Sequence, residues 1–579
     1  MKNKVKLCTV AVPAYEKISL IPEVDTVGML NLVEETCASK PDLILLPQYS
    51  ADNMDTVLKL RALAKQNKAY IVYNMQKTKD GETQNETIII DRQGEEIFSY
   101  IKTHRIDGYD PDIKLGESIE VVTLDFATVA LAAGSDIYFP ELFEIYSVKG
   151  AEILLYCAAI EPLRDDTQVT NLIKARAVVD YMFTASASYA STLKKYMTNC
   201  YEHFSKSDIN TAEVEQTQNT YGVGRHTGNA AVYGLRGEVI ACTGREKGYV
   251  TAAIDLDKKR NIKEYINGPC CIVRHQNERG VFDEIDKYFE YKKELNKMDN
   301  PRIAIVHLSH GNTILKVQEN PPGELDLESY APVLKKVEIA AKNTDFVILS
   351  ELAVWGYKIS KELMGRFSQI AHANNCYIIH NATAEGNKCI SFVLNRQGEC
   401  IFEYEKVNML NFMYDHTMPA GDKIEVFDTE YGKMGIMVCA DLRCQEIPRI
   451  LGLKGARVIF AQNQAWGFDS VAINDIHFKA FAIENCYYVV HSNFATSQMS
   501  HRSMIIDPSG YIISATDYDT EQILRCELDL SLVENKRHYI FEKGGVICAE
   551  DFKKRLIEGR RPKIYTMLTS IGMRKEDYI

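Results

Sequence analysis

Residues 433 to 462, KMGIMVCADLRCQEIPRILGLKGARVIFAQ, repeat residues 128 to 157, TVALAAGSDIYFPELFEIYSVKGAEILLYC. Asp441 meets Asp136, Glu446 meets Glu141, and Lys454-Gly455-Ala456 meets Lys149-Gly150-Ala151, but Cys439 meets Gly134. Lys406 matches Lys102 and Glu351 matches Gln48 at nearly the same spacing, about 300 residues, so two equivalent domains in tandem are implied. A chain of 579 residues is also longer than one core usually supports.

Each copy opens with a strand-like run, KVKLCTVAV or RIAIVHLS, followed by a helix and an almost wholly apolar second strand, PDLILLPQ or TDFVILSE. Continuous apolar runs alternating with helices indicate strands buried on both faces, hence a layered α/β architecture. In TIIIDRQGEEIFSYIK and CISFVLNRQGECIFEYEK an RQGE turn joins two strands, with Gly94 and Gly398 supplying the permissive backbone of a hairpin. Gly150 and Gly455 suit the C-terminal stops of the helices PELFEIYSVKGA and QEIPRILGLKGA. Gly237 and Gly510 mark turns before the closing strands VTAAIDLD and ILRCELDL. The first copy holds extra polar residues between 191 and 226, read as a surface insertion. Phe282, Ile285, Phe289 and Leu295 lie at helical spacing among charges and predict an amphipathic linker helix ending before Pro301. The expected division is 1–275 for the first domain, 276–300 for the linker, 301–545 for the second domain and 546–579 for a tail without counterpart.

With 46% hydrophobic and 25% charged residues the chain can fill complete cores. A net charge of −12 argues against nucleic acid as partner, since phosphate binding needs a concentrated positive field. MKNKVKLCTVAVP is too short in its apolar part, and broken by Pro13, to read as a secretory signal. No apolar stretch approaches the length of a membrane span, so a cytoplasmic protein without membrane contact is expected. Fifteen cysteines form no disulfide framework and no CxxC pair, and most should be small buried hydrophobes. Cys270 and Cys271, like His372, His380 and His416, have no partners at ligand spacing, so neither metal nor other cofactor is expected. The glycines of YGVGRHTG, 221 to 228, lack the strand and helix of a phosphate loop and read as a plain loop.

Glu351, Lys406 and Cys439 each end an apolar run, and strand ends of an α/β layer converge on a common pocket. A thiol, with a reference pKa of about 8.5, needs a base or a cation beside it to act as a nucleophile. A carboxylate and an ammonium supply both. This order, with the run Cys439-Ala440-Asp441-Leu442-Arg443-Cys444-Gln445-Glu446, resembles the nitrilase superfamily of carbon–nitrogen hydrolases, and the likeness extends over both halves. The resemblance implies two tandem four-layer αββα sandwiches, with an internal pairing of the halves in place of a dimer and room for a further homo-oligomer. It makes Glu351 the general base, Lys406 the cationic stabiliser, Cys439 the nucleophile and the Ala440 N–H an oxyanion donor.

Cys444 and Gln445 depart from the aromatic-Pro pair of the family, and its second acid after the lysine is matched only by Asp415 or Asp422, of which Asp415 is favoured. Asp441, where nitrile-cleaving members have Trp-Glu after the cysteine, favours a small amide or carbamoyl substrate. Asn463 and Trp466 fall where members line the substrate pocket, although ordinary packing accounts for them equally. Taken singly, Cys439 would read as a buried hydrophobe, Lys406 as a solvated strand end and Glu351 as a helix-start charge. In the first copy Gln48 and Gly134 replace base and nucleophile beside the retained Lys102, so no acyl transfer is expected there. Ser135 has no basic neighbour evident in the sequence. The rival readings are a non-catalytic ligand-binding or scaffolding protein and an acyltransferase that gives the same thioester to an amine.

Overall fold

Leu43–Leu45 and Phe346–Ile348 are apolar at every position and fully buried, which requires cover on both faces. Leu43 and Leu45 share one core with Leu7, Val129, Leu155 and Phe183. Ile44 points the opposite way, into a core with Val10, Val33, Leu60 and Ile71. The first core lies between two sheets; the second lies between a sheet and the helices Thr26–Cys37 and Met54–Asn67. Strand alternation therefore builds both layers at once.

The computed structural model describes residues 3–13, 21–22, 24–158, 166–190, 229–244, 246–260, 272–273, 297–309, 327–353, 358–410, 417–443, 445–464, 470–495, 502–536, 538–542, 545–565 and 568. The insertion at 191–226, the linker helix before residue 297, the 221–228 glycines, Cys270, Cys271, Cys444, Asp415, His416 and Trp466 lie outside the described residues.

The first half contributes β1 (Lys4–Val12), β2 (Leu43–Leu45), β3 (Tyr70–Lys79), β4 (Glu82–Ile90), β5 (Glu96–Ile101), β6 (Val122–Thr123), β7 (Thr128–Ala133), β8 (Ile153–Cys157), β9 (Phe183–Tyr189), β10 (Ala231–Tyr233), β11 (Val239–Cys242) and β12 (Gly248–Asp255). One sheet runs β5-β4-β3-β2-β1-β12 and the other β6-β7-β8-β9-β10-β11. They join where Ala11 and Val12 pair with Ser188 and Tyr189. Helices Pro140–Val148 and Asp166–Val178 belong to the second sheet's crossovers, completing four layers.

Next come β13 (Ile272–Val273), β14 (Arg302–His307), β15 (Phe346–Ile348), β16 (Tyr377–Ala384), β17 (Lys388–Leu394), β18 (Cys400–Glu405), β19 (Met409–Leu410), β20 (Val426–Thr429), β21 (Gly432–Val438), β22 (Val458–Gln462), β23 (Tyr488–Ser492), β24 (Met504–Ile506), β25 (Ile512–Ala515) and β26 (Gln522–Glu527). Their two main sheets repeat the same orders, β18-β17-β16-β15-β14-β26 and β20-β21-β22-β23-β24-β25. Among the described residues, the corresponding seam of the second half is the bridge of Ser309 with Ala495. Helices Leu327–Ala341 and Lys361–Asn374 accompany the first of these sheets, and Glu446–Leu453 and Ser470–Asn485 the second.

The expected turns are present in both copies. Gly94 and Gly398 have φ of +85° and +78°. A Cβ there would also stand 2.7 Å from Arg61 O and 2.5 Å from Ser368 O, so glycine lets each hairpin tip rest on a helix. Gly150 and Gly455, at φ +81° and +91°, end their helices as expected. Matching N-caps open the helices at 54 and 361, with Asn53 accepting from Thr56 N and Ser360 from Leu363 N. No helix among the described residues is long and apolar enough to cross a membrane.

The chain divides into two compact units. The first gathers Met1–Ile262 with Arg537–Met567, and the second begins at Lys263 and continues to Lys536. In the second unit β13 pairs with β19, just beyond Lys406. In the first, the hairpin of β27 (His538–Glu542) and β28 (Gly545–Ala549) precedes helix Phe552–Glu558. Phe552 packs against Tyr109 and Tyr138. Arg560 donates to Glu141 Oε1 at 2.8 Å, their side chains 0% and 1% exposed. Arg561 donates to the carbonyls of Thr103 at 3.0 Å and Gly116 at 2.6 Å, and Tyr565 Oη lies 2.7 Å from His104 Nε2.

Candidate active site

Three chain segments meet at the strand ends of the second unit. After β15 the chain turns at Ser350 and Glu351, and Leu352 takes φ +46° with its N–H donating to Asn381 Oδ1 at 2.8 Å. Glu351 is fully buried; its Oε1 accepts from Lys406 Nζ at 2.8 Å and its Oε2 from Gln464 N at 3.0 Å. Lys406 follows β18 directly and is likewise sealed from solvent. A polar ladder ties the two sheets beneath: Asn381 Nδ2 donates to Ser391, Ser391 Oγ to Gln462 Oε1 at 2.6 Å, and Gln462 Nε2 to Leu349 O at 2.7 Å. Every buried donor so engaged fixes a side chain that would otherwise cost desolvation energy.

Cys439 begins the 3₁₀ turn Cys439–Arg443, directly after β21, at φ +44°. A non-glycine residue in that region is strained and is held there by its surroundings. The clamp is visible: Asp441 Oδ2 accepts from Val438 N at 2.9 Å and Tyr404 Oη at 2.8 Å, and its Oδ1 accepts from Asn408 N at 2.8 Å. Burial pushes the Asp441 carboxyl up to about 6, against these three hydrogen bonds and the nearby Lys406 charge. Cys439 is half-buried. Burial instead pushes the thiols of Cys8, Cys157 and Cys376 up to about 12, which keeps them protonated and inert.

The first unit keeps the backbone of this arrangement and changes its contents. Tyr49 (φ +62°) and Gly134 (φ +52°) adopt the conformations of Leu352 and Cys439. Gln48 Nε2 donates to Asn85 Oδ1 at 3.1 Å, and its side-chain amide oxygen would clash with a Cβ on Gly134. Tyr156, in the position of Ala461, donates to Gly134 O at 2.8 Å. Lys102 Nζ donates to Ala133 O at 2.7 Å and Ser135 Oγ at 2.9 Å, and lies 3.5 Å from Asp110. Ser135 Oγ donates in turn to Asp110. The expectation that Ser135 has no basic neighbour is therefore corrected: the chain between Lys102 and Asp110 folds back and brings both groups to the hydroxyl. Asp136 repeats the clamp of Asp441, accepting from Tyr100 Oη at 2.9 Å, Ala133 N at 2.9 Å and His104 N at 3.1 Å. Burial alone would raise its pKa, but Lys102 and His104 outweigh burial and hold it below the ordinary carboxylate range.

The carbon–nitrogen hydrolase family profile matches residues 17–264 and again residues 311–538. The chain belongs to the carbon–nitrogen hydrolase family. Omega-amidase NIT3 of Saccharomyces cerevisiae is 28% identical over 167 residues, which are 26% of this chain and 56% of that protein. The chain thus spans little more than half the length of that relative. The 2-oxoglutaramate amidase of Bacillus subtilis is 27% identical over 217 residues, 34% of this chain and 82% of the relative. Among solved structures, Saccharomyces cerevisiae Nit3, a member of branch 10 of the nitrilase superfamily, aligns with 42% of this chain and 95% of its own at 19% identity and a TM-score of 0.34.

In this member of the carbon–nitrogen hydrolase family, the remaining site residues foreseen from sequence fall as follows. Ala440 is buried in the turn after Cys439. Asn463 lies just past β22, buried, with its N–H donating to Ser492 O at 2.9 Å. His380 is packed against Phe367, and burial lowers its pKa to about 3, as suits a structural histidine. Sequence reasoning missed Tyr404, Asn408 and Gln464 as partners of the site. Their signal was position alone, within two residues of Lys406 or Asn463.

Proposed function

We propose that the second unit hydrolyses the C–N bond of a small linear amide or N-carbamoyl compound through a thioester on Cys439, and that the first unit is an inactive copy. The observation that carries this reading is the buried Glu351–Lys406 pair at the strand ends that also carry a half-buried, conformationally strained Cys439. Cys439 Sγ attacks the carbonyl carbon as Glu351 takes the thiol proton. Lys406 and the Ala440 N–H hold the developing oxyanion. Glu351 passes the proton to the leaving amine, and the C–N bond breaks. Water then attacks the thioester, Glu351 takes its proton, and the thiol is restored as the acid departs.

Asp415 corresponds in the repeat to Asp110, which in the first unit reaches both Lys102 and Ser135. On that ground Asp415 is the fourth acid, while Asn463 and Trp466 belong to the pocket wall. Two matched relatives are named for omega-amides, which puts ω-amides of short dicarboxylic acids at the head of a substrate panel. A thiol nucleophile suits a reducing compartment, so we assign the protein to the cytoplasm.

The test is ammonia release from a panel of amides and N-carbamoyl compounds by the full chain, followed by acid quenching and peptide mass analysis. An acyl adduct on the Cys439 peptide is expected. Turnover without any adduct would remove the thioester, and absence of both would favour a scaffold. Added hydroxylamine separates hydrolysis from acyl transfer by the product formed. For the first unit, Gly134→Cys in a Cys439→Ala background is expected to restore no hydrolysis, because Gln48 occupies the side-chain space. It should also lower stability by about 1–3 kcal/mol through overpacking, read from urea unfolding.

A further inference from the structure

We propose that Asp441 is a positioning residue that holds the Lys406 loop and the Cys439 turn together, and that its protonation releases this clamp. The inference rests on the catalytic reading above but concerns a group outside the reacting atoms. One carboxylate spans two strand ends: Val438 N, directly before Cys439, on one side, and Tyr404 and Asn408, two residues either side of Lys406, on the other. All three partners donate. An ionised Asp441 accepts from all of them, whereas a protonated one carries a hydrogen that only the Tyr404 hydroxyl can accept, and that bond must then reverse its direction.

Among the described residues, the charged and titratable groups facing Asp441 are Tyr404, Lys406 and, through Lys406, Glu351, with the Cys439 thiol in the same turn. Burial, and next the Asp441 charge, hold the Tyr404 phenol well above its ordinary range, so its hydroxyl stays protonated. In the first unit Gln48 is neutral, and the ammonium of Lys102 comes within 3.7 Å of Asp136, with the His104 ring at 3.6 Å. In the second unit Glu351 takes the ammonium at 2.8 Å, and burial prevails at Asp441, raising its pKa to about 6. Two exchanges, Glu351 for Gln48 and Asn408 for His104, therefore separate a clamp held below the ordinary carboxylate range from one raised above it.

The sign of the linkage provides a discriminating readout. A carboxyl whose pKa is raised by folding binds its proton more tightly in the native state, so between the ordinary carboxylate range and about 6 it stabilises the fold as pH falls. Asp441 itself thus adds no loss of fold on acidification through pH 6, whereas buried neutral histidines such as His380 act in the opposite sense, so unfolding measured at the same pH separates the two effects.

Full-length Asp441→Asn is expected to lower kcat for ammonia release by about 10²-fold with little change in KM, the effect of a displaced reacting group. Iodoacetamide labelling of the Cys439 peptide should slow, and its inflection near pH 6 should disappear. Asp136→Asn, at the same clamp in the other unit, should lower Tm but leave both readouts unchanged. Tyr404→Phe removes one donor to the ionised form and should move the inflection upward, which keeps the idea testable if Asp441→Asn does not fold. Unchanged labelling and an unchanged acid limb in folded Asp441→Asn, or an unmoved inflection in Tyr404→Phe, overturn the proposal. Retention of turnover by Cys439→Ala would instead overturn the hydrolase reading, and the labelling series would still decide the clamp.

Discussion

Cys439→Ala is expected to abolish amide hydrolysis, by ~10⁴-fold or more in kcat, the scale on which removal of a nucleophile acts. The loss should be chemical and not structural. The Glu351–Lys406 pair and the Asp441 clamp involve other side chains, so Tm should stay close to that of the parent. Cys439→Ser should recover little, because a carboxylate base that suffices for a thiol is too weak for an alcohol of much higher pKa. Ser135→Ala supplies the contrast. That hydroxyl bridges Lys102 and Asp110 in the first unit, so its removal should cost about 1–3 kcal/mol of stability with hydrolysis unchanged. Initial rates of ammonia release and urea unfolding on the three variants decide the matter; full turnover in Cys439→Ala would end the thiol mechanism.

The second large effect is expected at Arg560. Arg560→Met takes the guanidinium from a carboxylate that is 1% exposed, and breaking a buried pair from one side typically costs ~3–5 kcal/mol. Arg560→Met with Glu141→Leu should recover much of that, since an apolar pair of similar volume avoids the desolvation of both charges. Urea unfolding of the single and double variants measures the difference. A single variant as stable as the parent would show that the Arg560–Glu141 pair contributes nothing to the stability of the first unit.

The fold was legible in the sequence wherever periodicity or a turn residue encoded it. Alternation along KVKLCTVAV and the apolar PDLILLPQ gave buried strands, and the RQGE glycines gave hairpins whose φ values bear this out. Glu351 and Lys406 could be expected to converge because both stand at strand ends, and their side chains do meet. The Ser135–Lys102–Asp110 cluster was not legible, because Asp110 reaches it from a loop whose path no repeating pattern records. Nor was the pairing of Arg560 with Glu141, which joins residues 419 positions apart through one guanidinium. Asp441 left a better trace: the acid persists at Asp136 although the neighbouring thiol is gone, which separates holding the turn from doing its chemistry.

The first compact unit includes residues 537–567, and this sets an order of events during synthesis. When the ribosome has released residue 262, Glu141 still lacks Arg560, and His104 lacks Tyr565. At about 5–20 residues per second, the wait for residue 537 is on the order of 10–60 s. Throughout that interval the nascent amino-terminal half carries an unsealed acidic and aromatic patch, a vulnerable stage at which chaperone occupancy would count most.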